Sequence, residues 1–115
     1  MKHVNYNDVE AEIPDMEGIK DIKIRLLITD KDGAQHFAMR LFEVEPGGHS
    51  PWHQHEFEHE MFILEGSGTA VKSDGEIKFS AGDVFYIEPN EWHNFKNTGT
   101  EVLKFICLVP YLKKD

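Results

Sequence analysis

Seven histidines stand in the 115 residues: His3, His36, His49, His53, His55, His59 and His93, and four of them fall between positions 49 and 59. Neutral imidazole carries a lone pair, which makes histidine the commonest metal ligand and a ready acid–base group. In His53-Gln54-His55 the two rings are two residues apart, and on an extended strand such residues point to one face. His59 shares that parity if Glu56-Phe57-Glu58 does not bulge. His93 lies far along the chain, just after Pro89-Asn90, where an antiparallel barrel would bring it opposite. Four imidazoles converging inside a small barrel make a site for a divalent first-row metal. The plainer alternative is that each is an ordinary solvent-facing or core histidine. A hydrolytic triad is less attractive, because Ser50 and Ser67 form no nucleophile motif.

The elements that must position these rings are short strands. Turn signals recur at even intervals: Asp32-Gly33, Pro46-Gly47-Gly48, Gly66-Ser67-Gly68, Asp74-Gly75, Ala81-Gly82-Asp83, Pro89-Asn90 and Thr98-Gly99. Between them lie runs rich in β-branched and aromatic residues, at 22–29, 37–45, 59–65, 69–72, 76–79, 84–87, 92–96 and 102–109. Ile22/Ile24/Leu26 and Leu103/Phe105/Cys107/Val109 alternate with period two. No 12-residue stretch carries a helical apolar stripe, so the pattern predicts an all-β sandwich or barrel. Asp32-Gly33 and Asp74-Gly75 sit where hairpins need residues tolerant of positive φ. Residues 1–20 are an N-terminal arm or edge strand of the same domain, and residues 21–115 form the single barrel.

Composition narrows the partners. Twenty-one acidic residues against 12 basic ones give a formal net charge of −9, which disfavours nucleic acid and anionic membrane surfaces. No long apolar run and no signal-peptide core is present, so a cytoplasmic location is the default expectation. The single cysteine, Cys107, excludes an internal disulfide framework and a cysteine-based zinc knuckle.

Two motifs then carry a family resemblance. Gly47-x5-His53-x-His55-x3-His59-x6-Gly66 resembles the first cupin motif, G-x5-H-x-H-x3,4-E-x6-G. Gly82-x5-Glu88-Pro89-Asn90-x2-His93-x3-Asn97 resembles the second, G-x5-P-x-G-x2-H-x3-N. Residues 67–81 between them match the short spacer of small single-domain cupins. The stretches from Met39 to Gly48 and from Glu88 to Glu91 are similar to manganese-binding cupins of bacteria and archaea. The resemblance implies a double-stranded β-helix, a jelly-roll-like barrel of antiparallel strands. It also implies a metal held by His53, His55, His59 and His93, with manganese the expected ion and iron, nickel, zinc or copper as alternatives.

Departures from the motifs matter to the chemistry. His59 occupies the family's glutamate seat when counted from Gly66, whereas the longer spacing would select Glu60. The parity with His53 and His55 favours His59. Asn90 stands where the family has glycine and tolerates the same left-handed turn. Four neutral imidazoles leave a divalent charge uncompensated, so the ion would be a stronger Lewis acid with an affinity for anionic ligands. A closed tetrahedral zinc would instead be structural.

Around the ligands, Arg40, His49, Trp52, Phe105 and Cys107 are the pocket candidates. Phe105 and Cys107 share a face of the last strand, which in the family runs beside the metal. Trp52, Phe57 and Trp92 could wall the pocket or pack in the core. Arg40 is expected on the outer sheet face, with a substrate carboxylate as its alternative partner. His49 is expected at the rim. His3 and His36 have no motif context. The functional expectation is a small metalloenzyme that activates dioxygen, peroxide or a small oxygenated substrate. A non-catalytic small-molecule binder or sensor, or a metal-stabilised structural protein, is the alternative. A homodimer is expected, because the apolar final strand and the arm leave edges to cover.

Overall fold

A computed structural model describes residues 1–111, so the last four residues of the expected 21–115 span lie outside the described residues. The strands are β1 (Ala11–Glu12), β2 (Lys20–Ile28), β3 (Phe37–His49), β4 (His59–Glu65), β5 (Ser67–Lys72), β6 (Gly75–Ser80), β7 (Val84–Ile87), β8 (His93–Lys96) and β9 (Leu103–Pro110). Two short 3-10 turns, Tyr6–Asp8 and Asp30–Asp32, complete the regular structure among the described residues. All pairings are antiparallel, in the order β6-β5-β8-β3-β9-β4-β7, with β2 added to β3 and β1 to β2. The result is a curled half-barrel. Among the described residues no helix is long and apolar enough to cross a membrane.

The curl follows from β3, whose length lets it pair with three strands. Its first part lies between β2 and β9, for example Leu41 opposite Arg25 and Ile106, and its end reaches β8 through His49 opposite Lys96. Gly47-Gly48, expected to end this strand, are instead carried within it. Gly47 takes φ +85°, which a glycine adopts without steric cost, so the strand bends and continues.

Period-two alternation aims one side of each strand inward. Ile22 and Ile24 of β2, Phe42 and Val44 of β3, Met61 and Ile63 of β4, and Leu103, Phe105 and Cys107 of β9 form one buried cluster. Leu26 is the exception to the expected alternation, and is 41% exposed at the end of β2. Burying a large aliphatic or aromatic side chain contributes about 1.5–3 kcal/mol, so this cluster is the main support of the sheet.

The N-terminal arm is bound to the sheet. Ala11 and Glu12 pair with Arg25 and Ile24. The Arg25 guanidinium donates to the carbonyls of Tyr6, Asn7 and Val9 and forms an ion pair with Glu43. This one arginine satisfies arm carbonyls that the two-residue strand leaves free.

Candidate metal centre and its cavity

His53 and His55 sit in the connection between β3 and β4, and not on the extended strand expected from their spacing. Pro51 lacks an N–H, and the His55 ring folds back on its own backbone to meet the Phe57 carbonyl, so the chain turns there. One bridge holds the segment in place. His53 and His93 exchange backbone hydrogen bonds of 3.2 and 3.0 Å, and the Asn90 N–H donates to the His55 carbonyl at 2.7 Å. Asn90 has φ +65°, the left-handed conformation that the turn demands.

These backbone contacts bring three rings together. The ligand atoms of His53, His55 and His93 all lie within 4.8 Å of one another. The tautomers suit ligation. The Nδ1–H of His55 donates to the Phe57 carbonyl and that of His93 to the Glu91 carbonyl, each at 2.7 Å. In a neutral imidazole this leaves Nε2 as a free lone pair and fixes the ring direction. The His55 Nε2 is buried and has no partner among the described residues.

His59, on β4, lies in the same cavity but outside that group of three. Its ring stacks on His55 with centroids 4.0 Å apart, while its centroid is 6.2 Å from that of His93. Its Nδ1 lies 3.1 Å from Cys107 Sγ, and its Nε2 is buried without a partner among the described residues. Glu60, the other candidate for this position, is on the opposite, exposed face of β4.

The electrostatics favour neutral rings. Burial lowers His53 to about 4, helped by the charges of His93, His55 and Arg40. Burial lowers His59 to about 2, with smaller contributions from His55, Arg40 and the other two rings. Burial also lowers His93, against the opposing pull of its hydrogen bond to the Glu91 backbone. Such rings resist protonation and stay available as lone-pair donors. Burial pushes the Cys107 thiol up, with Arg40 opposing.

The cavity above the rings has a volume of about 320 Å³. Phe42, Phe57, Met61, Phe95 and Phe105 line it together with Arg40, Cys107 and the four histidines. Arg40 is therefore corrected from the outer face to the inner one. It shares the parity of Phe42 and Val44, and its guanidinium lies 5.1 Å from the Phe42 ring centroid. Trp52 and Trp92 are corrected in the other direction. Each is adjacent in sequence to a cavity histidine and so projects to the opposite side, where the two indoles stack at 5.7 Å, half exposed. His49 is outside the cavity as well, its Nδ1 bonded to the Ser50 carbonyl.

Residues the sequence reading missed include Met16, which the arm contributes to the cavity wall, and Ile87 and Met61. The alternation of β4 and β7 carried a signal for the last two. Nothing local marked Met16. Asn97, the last residue of the second motif, is structural: it is buried and donates to the carbonyls of Val44 and Glu101, each at 2.8 Å, securing the loop before β9.

A curled antiparallel half-barrel with inward histidines from two successive segments defines the cupin class of protein. The family model for the cupin domain, Cupin_2, matches residues 40–109, and the chain belongs to that family. A structure of the polyketide cyclase RemF from Streptomyces resistomycificus is similar over 100% of this chain and 89% of its own, at 35% identity and a TM-score of 0.91. An oxalate-binding protein of Thermotoga maritima is 34% identical over 83 residues, 69% of each chain. A 1-methylthio-D-xylulose 5-phosphate methylsulfurylase of Rhodospirillum rubrum is 37% identical over 71 residues, 62% of this chain. The match spans only 46% of that enzyme's length.

Proposed function

We propose that this cupin is a metal-dependent enzyme acting on a small oxygenated substrate whose body is largely apolar. His53, His55 and His93 hold one divalent ion, and His59 is the fourth donor through its Nε2. The observation that carries the reading is the donor set itself: three ligand atoms within 4.8 Å, two of them on rings whose Nδ1–H groups are tied to carbonyls. A buried, unpartnered Nε2 on His55 and another on His59 fit the same ion, because a buried polar atom without a partner is costly. The family resemblance favours manganese.

When bound, the ion supplies Lewis acidity that polarises a carbonyl or enol oxygen. The chain's own residues do the rest. Phe42, Phe57, Phe95 and Phe105 bind an apolar body and exclude water from the reacting end. The ring directions set by the Phe57 and Glu91 carbonyls keep the donors in place. The likeness to a polyketide cyclase along the whole chain supports non-redox chemistry next to a carbonyl. Activation of dioxygen or peroxide is the second reading. It draws on a donor set made of imidazoles alone, with no carboxylate lining the cavity among the described residues.

The test begins with metal analysis of the purified protein and manganese titration, followed by detection of exchangeable water on the bound ion. One ion per chain with exchangeable positions is expected. Deuterium exchange next to the carbonyl of a small ketone panel, measured beside dioxygen consumption, separates the two chemistries. An ion with no exchangeable position would overturn the enzyme reading. Tight binding of small anions without turnover would leave a binding protein.

A further inference from the structure

We propose that Arg40 is the anion anchor of the cavity and selects ligands that carry one carboxylate on an apolar body. The inference deepens the reading of this cavity as a substrate site and rests on it. The chain holds 21 acidic residues, yet among the described residues none lines the cavity that contains Arg40. Among the described residues Arg40 forms no ion pair, whereas Arg25 pairs with Glu43.

What surrounds the guanidinium is weakly polar. One terminal nitrogen donates to Cys107 Sγ at 3.3 Å, a poor acceptor, and the Phe42 ring lies beneath at 5.1 Å. The Nε–H is buried and has no hydrogen-bond partner among the described residues. Taking a permanent cation out of water without a counter-charge is unfavourable, and a lone cysteine contact with a ring face offsets little of it. Guanidinium presents a planar fork of donors that matches a carboxylate in two parallel hydrogen bonds. A ligand carboxylate would supply the missing acceptors for the donors left over. The aromatic lining requires the remainder of that ligand to be apolar.

The test is calorimetric titration of benzoate and its neutral isostere benzamide into wild-type protein, R40Q and R40K, each metal-free and manganese-loaded. Charge-assisted hydrogen bonds predict that metal-free wild type prefers benzoate by about tenfold to a hundredfold. R40Q should lose that preference, and R40K, a point charge without the fork, should keep part of it. Absence of detectable benzoate binding to wild type, equal affinity for the two probes, or an undiminished preference in R40Q would overturn the proposal. If R40Q fails to fold, wild type and R40K still carry the test. Failure of manganese to bind, with the metal-free preference intact, would remove the metalloenzyme reading and leave the anion anchor standing. Manganese binding with no metal-free preference would do the reverse.

Discussion

Replacement of Cys107 by alanine probes how the fourth imidazole is held. His59 can present its Nε2 lone pair only if its Nδ1 carries the proton, and among the described residues the partner for that N–H is Cys107 Sγ at 3.1 Å. If the thiol donated instead, the proton would sit on Nε2 and the ring could not ligate. Removing a group that orients a ligand typically costs 10–100-fold in metal affinity, and because sulfur is a weak acceptor the lower end, about tenfold, is expected. Cys107 is only 2% exposed, so deleting its sulfur also costs about 1 kcal/mol of stability through lost packing. The assay is chelator competition for manganese with wild type, C107A, C107S and H59A. Serine offers a better acceptor and should hold affinity near wild type, whereas H59A should lose more than C107A. Unchanged affinity in both C107A and H59A would refute the assignment of His59 as a ligand. A large loss in H59A alone would refute the role given to the thiol.

Other consequences are accessible to simple measurements. His53 is lowered from 6.5 to about 4, so between those values the unfolded chain binds a proton that the folded chain does not. The metal-free protein should therefore lose stability as pH falls from 6.5 to 4, with His59 and His93 acting in the same direction, and a melting temperature that rises over this range would contradict it. Gly66→Ala should cost about 2–4 kcal/mol in urea denaturation, from a left-handed backbone and a forced overlap. Gly66 has φ +88°, and an added Cβ would stand 2.9 Å from the Val102 carbonyl oxygen. Trp52→Ala removes a stack with Trp92 worth about 0.5–1.5 kcal/mol, but should leave manganese and benzoate affinity unchanged. A loss of either affinity would place the indole at the cavity after all.

The strands were legible because their alternation is local. The runs at 59–65 and 84–87 coincide with β4 and β7, and the others differ by a few residues at their ends. The site was legible in residue types and less so in placement. Spacing brought His53 and His55 to one place, but Pro51 and the His55–Phe57 contact put them in a turn that strand parity does not describe. Parity alone would have turned Arg40 inward with Phe42 and Trp52 outward from His53. Charge and size argued the opposite, because an ordinary core excludes guanidinium and welcomes indole. That argument fails where the inward face borders a cavity, which only the closed fold reveals. Met16 lines the cavity from the arm that Arg25 ties down at Tyr6, Asn7 and Val9, and no sequence pattern marks it.

The bridge between His53 and His93 has a consequence for how such a site can change over generations. Both of its hydrogen bonds run between main-chain atoms, at 3.2 and 3.0 Å, and neither needs an imidazole. The register of the bridge thus does not depend on which side chains, proline apart, stand at these two positions. Inherited substitutions there can exchange donor atoms, charge and metal preference while the chain still closes in the same register. Chemistry and architecture can drift separately, and a single barrel can be passed on with many different reactions in it.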